Sequence, residues 1–139
     1  MSRKQPGGRR SACPLNAALE MVGDRWSLLI VRDLMLLGRR TYREFLEGGE
    51  RIATNILADR LLRLEELGIL ERARDPSDGR RTLYRLTEKG FDLGPTLIEL
   101  VLWAARHEAT GGPKALLEEM KHHRGRFLTR LRRQWAKME

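Results

Sequence analysis

Cysteine occurs once, at Cys13, in a chain of 139 residues. A lone thiol excludes an intrachain disulfide framework, and together with three histidines it offers no spacing suited to a metal. Aromatic side chains make up 6% of the chain, which suits a helical domain better than a sandwich core. No stretch approaches ~18 uninterrupted apolar residues, so no membrane span is expected. The first twelve positions hold Arg3, Lys4, Arg9 and Arg10 but no apolar run. They do not resemble a secretory leader, and a cytoplasmic location is the expectation. Stability must then come from packing, and a chain of this length suits one core rather than two.

What is abundant is positive charge. Twenty-seven Lys and Arg against nineteen Asp and Glu leave a formal +8, a field that draws polyanions over long range. Charge alone does not choose between DNA, RNA and anionic lipid.

Periodicity supplies the architecture. Cys13-Pro14 opens a first helix, carried by Leu15, Ala18, Leu19 and Val22 and stopped at Gly23. A second, largely buried helix follows, with Asp24 as its N-cap, Trp26, Leu29, Ile30, Leu34 and Leu37 at helical steps, and Gly38 as its stop. A short third helix is expected from Tyr42 to the Gly48-Gly49 pair. A longer one runs from near Thr54 to Leu67, with Gly68 at its end. On this helix Ile56, Leu57, Leu61, Leu64 and Leu67 share one arc, while Asn55, Asp59, Leu62 and Glu66 lie opposite.

Residues 69–74 and 81–86 read as two strands, joined by an Asp-Pro-Ser-Asp-Gly-Arg turn with arginines at its tip. Thr87 is the expected cap of a last major helix over 88–109, kinked at Gly94-Pro95. Its apolar face is wider than one core requires, which points to a partner helix. After Gly111-Gly112-Pro113 the basic tail, with its His122-His123 pair, reads as one or two helices with Gly125 a weak point. It is expected to form an exposed amphipathic helix rather than a metal or membrane site. The expected division is a flexible basic arm over 1–12, a domain over 13–109, and a helical extension over 110–139.

This order is that of a winged helix-turn-helix, mainly α with a small β-hairpin, whose second motif helix enters the major groove. That groove is ~12 Å wide and admits a helix with its side chains.

Cys13-Pro14, Gly23-Asp24-Arg25-Trp26, Ile30, Arg32-Asp33-Leu34, Tyr42, Glu44-Phe45, Ile52, Leu57, Arg60-Leu61, Leu64-Glu65, Gly68, Leu86-Thr87 and Trp103 occur together and in order. In these residues the chain resembles the HxlR family of bacterial transcriptional regulators over roughly 13–107, and its hairpin also resembles the wing of the related MarR family. The resemblance implies a dimer that binds double-stranded DNA and regulates transcription; a repressor or dual regulator on a palindromic operator is the expectation. Two departures stand out. Arg43 occupies the place of a small polar cap before the short helix, and Ala53 stands where a serine usually opens the recognition helix, leaving Thr54 as the alternative cap.

Carried over position by position, the resemblance sets Thr54 and Asn55 against base edges or nearby phosphates, with Asp59 and Arg63 further along the same face. Asparagine can bridge adenine and aspartate can accept from cytosine; Asp59 reads equally well as a plain surface charge. Arg60 lies within the apolar arc, so its stem is expected to pack and its head to meet a carboxylate or phosphate. Arg80, oriented by Asp78, and Arg81 are expected in or beside the minor groove, with a solvated hairpin tip as the alternative. Arg43 and Arg51 are phosphate-contact candidates, with solvated surface as the alternative.

Cys13 lies just before a helix N-terminus, where the backbone dipole favours a thiolate. The resemblance implies an oxidant or electrophile sensor at this position in some members; a local cap is the competing role. Trp103, Leu97, Leu100 and Val101 are expected at the dimer contact, and a small-molecule effector pocket between subunits stays open. No cofactor motif is present, and no acid–base pair, activated nucleophile or phosphate-cradling loop marks an enzyme. A protein-interaction module that binds acidic partners through the same basic faces is the alternative reading.

Overall fold

A computed structural model describes residues 10–138. The cations expected in a flexible arm at Arg3, Lys4 and Arg9 lie outside the described residues.

The first helix, α1 (Pro14–Val22), begins where proline can occupy the first turn without losing a bond. Only Val22 of its expected stripe is buried; Leu15 and Leu19 face outward. The second helix, α2 (Ser27–Leu36), buries Ile30, Val31, Leu34 and Met35, whereas Leu37 lies beyond its end and is exposed. Asp24 serves this helix from three residues ahead. Its carboxylate accepts from the backbone N–H groups of Trp26 and Ser27, each at 3.1 Å, and from the Ser27 hydroxyl at 2.5 Å.

The short α3 (Tyr42–Leu46) is capped by Thr41, not left uncapped at Arg43 as the family resemblance implies. The Thr41 hydroxyl accepts from Glu44 N–H at 3.2 Å, and the Glu44 carboxylate accepts from Thr41 N–H at 3.1 Å, a reciprocal capping box. Arg43 lies inside the helix.

The fourth helix, α4 (Thr54–Glu66), inserts Leu57, Leu61 and Leu64 into the core and leaves Asn55, Asp59, Leu62 and Glu66 outside, as its periodicity requires. Ala53 occupies the N-cap position without a side-chain bond. Thr54 is therefore the first helical residue and not the cap.

The hairpin pairs β1 (Leu70–Asp75) with β2 (Asp78–Leu86), antiparallel, in a register set by Leu70 opposite Leu86 and Ala73 opposite Leu83, with an irregularity between Arg74 and Asp75. The other edge of β2 is covered by the loop before α3. Tyr84 N–H donates to the Arg40 carbonyl at 2.8 Å, and Arg40 Nε donates back to the Tyr84 carbonyl at 3.2 Å.

Thr87 caps the next helix as expected, its hydroxyl accepting from Gly90 N–H at 3.1 Å. That helix is not one kinked rod over 88–109. It is two helices, α5 (Glu88–Phe91) and α6 (Gly94–His107), because Pro95 fits the first turn of a new helix better than the interior of an old one. A Cβ on Gly90 would lie 2.1 Å from the carbonyl oxygen of Ile69, so only glycine lets α5 lie against the start of the hairpin.

The tail forms α7 (Lys114–His122) and α8 (Arg124–Ala136), divided at His123 and not at Gly125, which lies inside α8. It is amphipathic, but its apolar face is not exposed. Met120, Phe127 and Leu131 join the same buried cluster as α2, α4 and α6.

Candidate nucleic-acid interface

The α3–turn–α4 unit is held rigid by bonds that the turn itself could not supply. Tyr42 of α3 donates its hydroxyl to the Thr54 carbonyl at 2.8 Å, fixing the first residue of α4. Buried Asp33 accepts from Arg32 at 2.8 Å and from Arg39 at 3.0 Å, and Arg32 reaches on to Glu50 in the turn at 3.0 Å. Next to Glu50, Arg51 adopts a left-handed backbone with φ 59°, unusual for a residue with a Cβ. That conformation turns the chain into α4 and leaves the Arg51 side chain exposed.

On α4, Thr54 and Asn55 are exposed at the helix N-terminus, and among the described residues neither side chain has a hydrogen-bond partner. The remaining expected contacts on this helix are less free. Asp59 receives Arg60 at 2.5 Å. Arg63, placed by analogy on the outer face, donates to the Glu20 carbonyl at the end of α1 and so braces α4 against α1. Arg60 has the packed role expected for it, with Nε 2.9 Å from Asp24. Burial pushes the Asp24 carboxyl up, but the Ser27 hydroxyl, Arg60 and the Trp26 and Ser27 amides outweigh it and hold its pKa at about 2.

Arginines around the motif divide in the same way. Arg43 is exposed and pairs with Glu47 one turn on at 3.0 Å. In the hairpin Arg81 is bound to Asp75 at 2.6 and 2.9 Å. The Ser77 amide and hydroxyl, together with Arg81, hold the Asp75 carboxyl at about 2. Arg80 is exposed and, among the described residues, has no ion pair. Asp78 does not orient its guanidinium; it accepts the Arg80 backbone N–H at 3.1 Å, shaping the turn instead.

Cys13 is exposed at the N-cap position of α1, without a side-chain capping bond. Of the residues expected at a dimer contact, Leu97 is buried in the chain's own core, Val101 is half-buried, and Leu100 and Trp103 point outward at 46% and 58% exposure. The exposed Leu15 and Leu19 of α1, expected from their spacing only as part of that helix's apolar stripe, add to the outward apolar surface. Among the described residues no group of His, Cys, Asp and Glu could hold a metal, and no helix is long and apolar enough to cross a membrane.

Two motif helices, a hairpin covered along one edge, and an exposed polar N-terminus on the second motif helix define a winged helix-turn-helix, the architecture of DNA-binding transcriptional regulators. Residues 21–111 match the HxlR-like helix-turn-helix family, and the chain belongs to it. An HTH-type transcriptional regulator of Mycobacterium tuberculosis is 38% identical over 106 residues, 76% of this chain and 65% of the relative, so the match spans just under two thirds of that protein. The HTH-type transcriptional regulator YodB of Bacillus subtilis is 37% identical over 93 residues, 66% of this chain and 82% of YodB. The reduced form of YodB superposes with a TM-score of 0.58 at 31% identity, covering 73% of this chain and all of that one. Structures of diamide-treated and quinone-bound YodB are also similar. The redox regulator HypR in its oxidized form superposes with a TM-score of 0.63 at 25% identity, over 70% of this chain and all of HypR.

Proposed function

We propose that this protein is a sequence-specific, dimeric repressor that lays α4 in the major groove of a palindromic operator and uses its hairpin as a wing. The observation that carries the proposal is the state of the α4 N-terminus. The Thr54 and Asn55 side chains are exposed there and, among the described residues, without hydrogen-bond partners, on a helix whose opposite face is anchored by Leu57, Leu61 and Leu64. Asn55 has the donor and acceptor geometry to bridge an adenine, and the N-terminal amides together with Arg51 suit a phosphate. Arg43 and Asp59 are adjustable contacts, since each would exchange an exposed intrahelical pair for DNA. The outward Leu15, Leu19, Leu100 and Trp103 support a homodimer, which would set two α4 helices ~34 Å apart, one turn of duplex.

In the wing, Arg80 contributes the mobile charge and Arg81 the pinned one. Replacing both with alanine should weaken binding at least tenfold and lower the slope of log affinity against log salt by about 1. Affinity and slope both unchanged on the same DNA would contradict the wing assignment and favour a module that binds acidic proteins.

Cys13 makes the protein responsive to oxidants or electrophiles. Its exposure and its place at the start of α1 support this, as do the reduced, diamide-treated and quinone-bound forms of YodB. With one cysteine per chain, oxidation would join two subunits or add a small thiol. Diamide should release the wild-type protein from DNA and leave Cys13→Ser bound; equal release of both would remove Cys13 from the response.

A further inference from the structure

The family match ends at residue 111, yet the chain continues into α7 and α8, which fold back onto the matched domain. Phe127 and Leu131 seat α8 in the core. Its last turn does something else: it grips the end of β2. Trp135 Nε1 donates to the Leu86 carbonyl at 2.8 Å, and Arg85 returns a bond to the Trp135 carbonyl at 3.1 Å. The Arg85 guanidinium lies over the indole at 4.5 Å, and Phe91 stacks beneath it at 4.9 Å and 26°. Arg132 covers Phe91 at 4.9 Å and Trp135 at 5.4 Å, and is itself held by Glu88 at 3.0 Å.

We infer that α8 is a clamp on the wing, with Trp135 as the positioning residue that fixes the angle at which β1–β2 leaves the core. A two-stranded hairpin has little stiffness of its own, so its direction is set where it is rooted. Six residue steps lead from Leu86 to Arg80, about 20 Å of extended strand. A swing of about 10° at the root would carry the arginine through about 3.5 Å over that length, more than a hydrogen bond tolerates. To the bonds that Tyr84 makes with Arg40 and Thr87 with Ile69, Trp135 adds contacts from both its backbone and its ring, on a helix outside the family match.

The clamp itself is independent of DNA; its consequence for affinity rests on the reading of the hairpin as a wing. Hydrogen exchange of the full-length protein separates the two. Trp135→Ala should speed exchange of the amides in 70–86 at least tenfold while those of α2 and α4 keep their protection. Trp135→Phe retains a stacking ring but loses the indole donor, and should give a smaller rise. Unchanged hairpin exchange in both variants, or an equal rise throughout the core, overturns the clamp.

On DNA, Trp135→Ala should cost about tenfold in affinity in the wild-type background and less than twofold when Arg80 and Arg81 are already alanine, since Trp135 would act on DNA only through the backbone that carries those arginines. A loosened hairpin with affinity kept in Trp135→Ala but lost in the arginine double variant overturns the clamp as a determinant of binding. Affinity kept in both, with the hairpin loosened, upholds the clamp and removes the wing from DNA.

Discussion

Gly90→Ala is expected to destabilise the protein by about 3 kcal/mol, at the upper end of ordinary overpacking. The sign is the informative part, because alanine inside a helix normally exceeds glycine by about 1 kcal/mol. Here the added methyl would meet the Ile69 carbonyl oxygen at 2.1 Å and Leu86 Cδ2 at 3.0 Å. That carbonyl already accepts from the Thr87 N–H at 3.0 Å, while the Thr87 hydroxyl donates to the neighbouring Gly68 carbonyl at 2.5 Å. Relief of the clash therefore breaks the junction that joins α4, the hairpin and α5. Urea unfolding measures the effect, and an unchanged or raised midpoint would contradict this packing.

Asp24→Ala should have a comparable effect, about 3 kcal/mol, because one carboxylate serves both the start of α2 and Arg60 of α4. Its loss frees the amides of Trp26 and Ser27 and leaves the half-buried Arg60 paired with Asp59 alone. Asp24→Asn, which can still accept from the amides, should lose less. The folded pKa of about 2 lies below the ordinary 3.8, so the carboxylate contributes stability that is fully present above the unfolded value and fades as pH falls through the folded one. Wild-type unfolding midpoints should therefore drop between about pH 4 and pH 2 more steeply than those of Asp24→Ala; parallel curves would show that Asp24 carries no such linkage.

Local signals made most of the motif legible. The spacing of Leu57, Leu61 and Leu64 fixed which side of α4 is inside, and the Asp75-Pro76-Ser77-Asp78 run marked the hairpin turn. Thr41 and Glu44 also form a readable pattern, a hydroxyl three residues ahead of a glutamate, that places the cap one residue before Tyr42 and leaves Arg43 inside the helix. Pro95 suits both a kink and a helix start, and only its surroundings choose between the two. What could not be read locally were partners distant in sequence. Arg63 finds Glu20, forty-three residues away, and Trp135 finds Leu86, forty-nine away. Amphipathicity showed that α8 has an apolar face but not that the core already covers it. On α6 the same limit left Leu97 indistinguishable from Trp103, though one is buried and the other exposed.

The recognition role of α4 is tested most directly by footprinting the purified protein on genomic fragments at low ionic strength. Paired protected segments one helical turn apart, weakened by added salt and lost when Thr54 and Asn55 are both alanine, are the predicted result. Retention of no fragment, or protection that persists unchanged in that double variant, would contradict it.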